Sequence, residues 1–334
     1  MFINRTIGQI HSLILVLVSI CLSDINPQSL IFNNFSVKNG LSNNKANTIL
    51  QDKTGFLWFG TEDGLNRFDG YEFKVFRNNP ADSNSISSNN IWSLFEDEEG
   101  NIWIGTKSGE LNRYDSQKNI FEHWRIESKN VNENSINEIY RDKEGIIWLG
   151  TYQSGFYRFD IETKKIDNWS YVPSDPQSLS NNFVTSILED SYGYLWISTY
   201  NGLNKFNPKS DDNSFLQFYA DPGRNNSLSS NLIWSLRKSN FDPNLIYIGT
   251  ANGLVSLNVK ENTFTRINLT AENSLQFGNS ISSIVDEKIN DENVLWLGTY
   301  GGLVRLNLGN GESQRYLKKE NEPSSIISNE INKM

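Results

Sequence analysis

Little in this 334-residue sequence is equipped for covalent chemistry. It holds two histidines, His11 and His123, and one cysteine, Cys21. No phased Ser or Cys nucleophile accompanies His123, which reads as a surface residue of an outer strand, Phe121-Glu122-His123-Trp124. Asp52, Asp97, Asp142 and Asp190 recur, but each has a Gly three residues later and so reads as a turn former. Nothing singles out a carboxylate pair for glycoside hydrolysis, and no Asp/Asn loop has calcium spacing. The expectation is therefore no catalytic residue, no cofactor and no metal. Non-covalent binding is the chemistry the residues do suit. After each recurring Gly-Thr, or Ser-Thr in the fourth copy, comes a variable pair: Glu62-Asp63, Lys107-Ser108, Tyr152-Gln153, Tyr200-Asn201, Ala251-Asn252 and Tyr300-Gly301. Tyrosines stack on the apolar faces of sugar rings, while amides and charges take the hydroxyls. The candidate ligand-binding set is Asp63, Lys107, Tyr152, Gln153, Tyr200, Asn201, Asn252 and Tyr300.

The elements that carry these pairs are repeats. Asp97-Glu98-Glu99-Gly100-Asn101-Ile102-Trp103-Ile104-Gly105-Thr106 is one copy of a phrase found along almost the whole chain. Its anchoring aromatics stand at 58, 103, 148, 196, 247 and 296, in steps of 45, 45, 48, 51 and 49. Self-similarity at that period marks a repeat architecture. The Asp and Gly make a turn, and Asn101 to Thr106 alternate as a strand, with Trp103 and Gly105 on one face. The last two copies lack the Asp–Gly turn. Asn244 and Asn293 stand where Gly stands elsewhere, and Asn is the next best residue at positive φ. A second phrase follows each time, as in Leu65-Asn66-Arg67-Phe68-Asp69 and Leu111-Asn112-Arg113-Tyr114-Asp115. One period holds four short strands joined by turns, hence one antiparallel sheet. The fold class is all-β: a β-propeller of four-stranded antiparallel blades, six complete repeats plus the start of a seventh at 323–331. Trp103 is expected as packing between blades, since its type recurs in nearly every copy. Trp92 and Trp234, on the strands before the turns, are expected there too.

Net charge is −9 and no basic run is present, so no nucleic-acid partner is expected. Residues 1–23 read as a signal peptide, with an apolar run at 13–20 and small residues at Cys21 and Ser23 before Asp24. No other membrane span is expected. Residues 24–334 then form the propeller, incomplete at its C-terminal side. A strand near 30–37 has no partner nearby in sequence. In closed propellers such a strand completes the last blade.

These phrases resemble the two-component regulator propeller repeat family. Its pattern has a Gly-Leu-Ser start, a Gln-Asp-x-x-Gly turn, Trp-Ile-Gly-Thr and then Gly-Leu-Asn-Arg-Phe-Asp. Gly40-Leu41-Ser42, Gln51-Asp52 and both strand phrases of the first repeat match it, and the resemblance spans roughly 30 to 331. It implies an exported, periplasmic sensor region of a hybrid two-component system whose parent is anchored in the inner membrane and forms a homodimer. It also implies an oligosaccharide ligand, with kinase and regulator parts outside this sequence. The alternative is an exported propeller enzyme, a lyase or hydrolase acting on polysaccharide.

Overall fold

The computed structural model describes residues 30–126, 134–269 and 279–334. The signal-peptide reading lies outside the described residues. Six four-stranded antiparallel sheets follow one another, each running in chain order from an innermost to an outermost strand. The first sheet is Ala46–Gln51, Leu57–Thr61, Gly64–Phe68 and Phe73–Phe76; the second is Ile91–Glu96, Ile102–Thr106, Glu110–Asp115 and Ile120–Arg125. The innermost strands of the other four are Ile136–Arg141, Val184–Glu189, Ile233–Lys238 and Ile281–Ile289. Inner strands of successive sheets touch one another, so the six blades surround one axis. The chain is a six-bladed β-propeller of four-stranded blades. Its only described helix is a single 3-10 turn, Val37–Asn39, capped by Ser36.

Successive blades bury the faces they turn to one another. Ile102 and Ile104 pack back on blade one with Trp58, while Trp103 packs forward with Ile147 and Leu149 of blade three. Trp58, Trp148 and Trp196 join the clusters between the other adjacent pairs, and Tyr247 does so for blades five and six. Trp103 and Trp196 are 0% exposed, as expected for packing between repeats.

The Asp–Gly turn does more than turn. Gly100 takes φ 80°, and its N–H donates to the Asp97 carbonyl at 3.1 Å. The Asp97 carboxylate accepts the Asn101 amide at 2.8 Å and the Trp103 indole N–H at 2.8 Å. Asp52 holds Trp58, Asp142 holds Trp148 and Asp190 holds Trp196 in the same way, at 2.7, 2.7 and 2.8 Å. A cation stands over the ring from the third strand: Arg67 on Trp58, Arg113 on Trp103, Lys205 on Trp196. Burial works against the charge on Asp97, but the bonds from Trp103 and Asn101, with Arg141 nearby, hold its carboxyl below the usual range.

The expectation for Asn244 and Asn293 is corrected. Neither takes positive φ. In blade six the turn lies earlier, at Asn290 (φ 48°) and Asp291 (φ 67°), joining the long strands Ile281–Ile289 and Glu292–Thr299. Two successive positive φ values suit a two-residue hairpin loop between right-twisted strands.

Residues 32–34 and 323–331 meet in the space between blades six and one. No strand forms at 30–36, yet the Phe32 amide donates to the Ser324 carbonyl at 3.0 Å. Asn34 Nδ2 donates to the carbonyls of Pro323 and Ser325 at 3.0 and 3.2 Å. The Ile331 amide donates to Thr299 O at 2.9 Å, and the Gly302 amide to Asn329 O at 2.7 Å.

Candidate functional site

The framework fixes each rim turn by the same side chain. Thr61 Oγ1 donates to the Gly64 carbonyl at 2.9 Å and accepts the Asp63 amide at 3.0 Å. Thr199, Thr250 and Thr299 repeat the bond to Gly202, Gly253 and Gly302. Thr151 closes on Gly155 and Thr106 on the Glu110 carbonyl. A hydroxyl inside the chain of bonds satisfies the turn backbone, so the outward side chains are free to differ.

The loop before each of three blades is tied down as well. Asn66 accepts the Ser42 amide at 2.9 Å and donates to Ser42 Oγ at 2.8 Å. Asn112 grips Ser87 and Asn204 grips Ser180 alike. Rim turns and inter-blade loops are therefore both rigid where the axis opens.

At that opening lies a cavity of about 350 Å³. Every blade lends a residue of its innermost strand: Asn47, Trp92, Asn137, Thr185, Trp234 and Ser282, with Asn332 from the C-terminal segment. All six strand residues hold one register position. In each sheet the pairing skips at this residue, between Ala46 and Thr48, Ile91 and Ser93, and so on to Ile281 and Ser283. The skipped residue is a β-bulge, left out of the ladder and turned toward the axis. Residues one and three of the same strand stay in the packing. A methyl on Gly60 would come within 2.6 Å of both Ile91 Cγ2 and Thr48 Cγ2, so glycine there lets two neighbours close in. Glu138 takes the third position in blade three. Burial pushes its carboxyl up, against the opposing influence of Lys333 and Ser186.

Trp92 and Trp234 are thus corrected. They are not wedged between blades but face the axis from bulges, and the Trp234 indole N–H is buried without a partner. Asn137 Oδ1 is likewise buried and unpartnered. Sequence alternation alone does not show a bulge. The available signal, in four of the six blades, was the residue between an Ile or Val and a Ser, which varies as the rim pairs do.

The structure brings only part of the expected set together. Tyr200 and Tyr300 line the cavity, on either side of Trp234, with ring centroids 5.4 and 6.1 Å from it. Tyr200 stacks on Phe183 at 3.5 Å, and Phe183 meets Tyr152 at 4.2 Å. The result is an unbroken aromatic arc, Tyr152–Phe183–Tyr200–Trp234–Tyr300. Lys107 stands over Trp92, 6.0 Å from its ring, on the far side. Asp63 is drawn away into an ion pair with Arg77 at 2.9 Å. Asn252 reaches back to the Ser229 carbonyl at 3.4 Å, and Asn201 and Gln153 are exposed on their turns. None of these four lines the cavity, and neither do Lys107 and Tyr152. Phe183, Trp92 and Trp234 take their place. No cluster of three or more His, Cys, Asp or Glu that could hold a metal occurs among the described residues.

An all-β ring of repeated four-stranded blades with a lined axial mouth defines a β-propeller. The sequence model of the two component regulator propeller family matches residues 40–63, 85–108, 130–153 and 178–201, so four copies of that family's repeat lie in this chain. A 78-residue stretch is 44% identical to Histidine kinase P4 of Formosa agariphila, covering 23% of this chain and 6% of that protein. Among solved structures, the chain is similar to a B. thetaiotaomicron extracellular domain described as that of a hybrid two component system. The match has TM-score 0.71 and 25% identity over 91% of this chain and 39% of that one. PorZ, a surface component of the Porphyromonas gingivalis type-IX secretion system, shares the fold at TM-score 0.62 and 15% identity, over 90% of this chain and 44% of that one. The chain therefore spans well under half the length of these relatives.

Proposed function

We propose that this chain is the ligand-sensing propeller of a hybrid two-component system, exposed in the periplasm, and that its ligand is an oligosaccharide held at the axial mouth. The aromatic arc carries the reading. Four of its rings, Phe183, Tyr200, Trp234 and Tyr300, line one side of a cavity whose other walls include amides, hydroxyls and lysines, and Tyr152 backs Phe183. Sugars offer alternating apolar faces and hydroxyl edges, which such a wall matches. The similarity to an extracellular domain of a hybrid system supports the place of action. Kinase and regulator parts would belong to the longer protein, which acts as a homodimer. In this reading residues 323–331 begin a seventh repeat, because Asn329 and Ile331 contact blade six as Asn89 and Ile91 contact blade one.

Calorimetry with a panel of defined oligosaccharides against the purified chain tests the proposal. Binding that weakens at least tenfold in Trp234→Ala supports it. No binding at millimolar sugar, or binding indifferent to both Trp234→Ala and Tyr200→Ala, refutes it. Cleavage of a polysaccharide by the purified chain would replace it with the enzyme reading.

A further inference from the structure

The axial mouth is divided by charge as well as by shape. Its aromatic side belongs to blades four, five and six, through Tyr200, Trp234 and Tyr300. Its charge lies on another part of the ring. Lys45 stands just before the first strand of blade one, and Lys333 two residues past Ile331, beside blade six. These two lysines are the only charged residues lining the cavity among the described residues. The chain carries a net charge of −9, so its composition alone would not put cations there.

The fold places both ammonium groups. The Lys45 amide donates to Asn43 Oδ1 at 2.9 Å, and the bulged Asn47 donates to the Ile91 carbonyl at 2.9 Å. The Ile331 amide donates to Thr299 O at 2.9 Å, and the Ile331 carbonyl accepts Ser282 Oγ. The acids nearby all turn elsewhere. Glu62 pairs with Lys45 at 2.8 Å and also feels Lys107, so two cations share one carboxylate. Glu330 acts on the Tyr300 hydroxyl from outside. Glu138 lies one residue past the bulge of blade three, where it accepts Ser186 Oγ at 3.4 Å and feels Lys333. None of these three carboxylates lines the cavity.

The unpartnered polar groups complete the pattern. Lys333 makes no ion pair or hydrogen bond among the described residues, and the Trp234 indole N–H is buried without an acceptor. Asn137 Oδ1 is a buried acceptor without a donor. A neutral sugar answers only part of this. Its ring covers Trp234 and a hydroxyl meets Asn137, but an ammonium closed in beside it loses water and gains no counter-charge. An anionic group on the ring edge supplies charge-assisted bonds in place of that water.

We propose that the ligand is an acidic oligosaccharide, whose rings stack on Trp234 and Tyr200 while a carboxylate or sulfate on the ring edge is held by Lys333 and Lys45. This rests on the reading of the mouth as an oligosaccharide site and narrows it to one class. The two lysines then set specificity, because a site built around a polar partner rejects the analogue that lacks it.

Calorimetry on matched pairs tests this. Trisaccharides of galacturonate and of mannuronate are each titrated beside their carboxyl-reduced neutral forms, and a sulfated galactose trisaccharide beside its desulfated form. The acidic member of at least one pair should bind about tenfold more tightly than its neutral partner, and added salt should weaken the acidic member alone. The uronate pairs and the sulfate pair tell the two sources of charge apart. Lys333→Gln should remove most of the preference, and Lys45→Gln part of it. Glu138→Gln takes away the anion that competes for Lys333 and should tighten acidic binding. The salt dependence is read on the parent chain, so the test stands even where a variant fails to fold. Neutral members that bind as tightly as acidic ones, with Trp234→Ala weakening both, overturn this inference and leave the oligosaccharide reading intact. A preference that survives Lys333→Gln and Lys45→Gln together also overturns it. Binding by no member of any pair fails both readings.

Discussion

Trp103 and Trp296 are the same residue of the same phrase, yet the structure gives them different work. Trp103 is fully buried between two blades and bonded to Asp97, whereas Trp296, in the last blade, is partly exposed and meets Glu287 at 3.3 Å on the surface. A buried Trp removes ~200 Å² from water, which at ~25 cal/mol/Å² sets an upper figure of about 5 kcal/mol. Partial collapse of the site lowers that, and an orphaned Asp97 carboxylate raises it. Trp103→Ala should therefore destabilise by ~3–5 kcal/mol. Trp296→Ala, with much of its area already wet and no packed neighbour blade, should lose ~1–2 kcal/mol. Trp103→Phe keeps most of the area but drops the indole bond, so it should fall between the two. Urea unfolding followed by circular dichroism measures all three. Equal losses for Trp103→Ala and Trp296→Ala would refute the argument that the following blade, and not the repeat phrase itself, makes this Trp structural.

Four further outcomes follow from the same geometry. Gly105→Ala should cost ~1–3 kcal/mol by overpacking, because the new methyl would lie 2.7 Å from Ile136 Cγ2; a melt matching the parent would contradict the close approach. Tyr200→Ala should cost about 1 kcal/mol, through the lost stack on Phe183, while abolishing oligosaccharide binding; calorimetry beside a melt separates the two effects. Asp52 and Asp97 titrate below their ordinary value of 3.8, so their support is present above that pH and is lost as pH falls through the lower folded values. The melting temperature should drop steeply below about pH 4, and less steeply in Asp97→Asn. Glu138 has the opposite sign: its raised carboxyl is best tolerated protonated, so stability is lost as pH rises through the folded value. Glu138→Gln should be more stable than the parent at pH 8 and no different at pH 4, as read from paired melts.

Much of the architecture was legible because each repeat states it again. The strand order, the turn glycines and the burial of Trp103 all follow from one phrase and its period. Three features were not legible. The bond from Asp97 to Trp103 hides inside a turn signature that is sufficient without it. The pairing of Asn66 with Ser42 joins residues from different phrases, and neither phrase alone names its partner. The bulge residues Trp92 and Trp234 look like ordinary strand aromatics, because alternation is counted in residues and a bulge changes the count by one. That miss is why the axis is lined by side chains the rim argument passed over, while only Tyr200 and Tyr300 of the expected rim set reach the cavity. Asp63 illustrates the rest: its turn was placed correctly, but Arg77, fourteen residues on, decides where its charge goes.

The bulge has a consequence for how such a protein can change. In five of the six blades the residues flanking it pack closely against the second-strand glycine, and Ser198 stands in that place in blade four, so drift there is punished by unfolding. The bulged residue has no register partner in the ladder, and only some of the six, such as Asn47 and Ser282, bond a neighbouring strand through their side chains. Across the six blades it has become Asn, Trp, Asn, Thr, Trp and Ser, while its flanks have stayed nearly uniform. After duplication, copies of one ancestral repeat could therefore diverge at a position exempt from the selection that keeps the ring together. A new specificity would then cost the scaffold little, and related propellers should differ most at these six places around the axis.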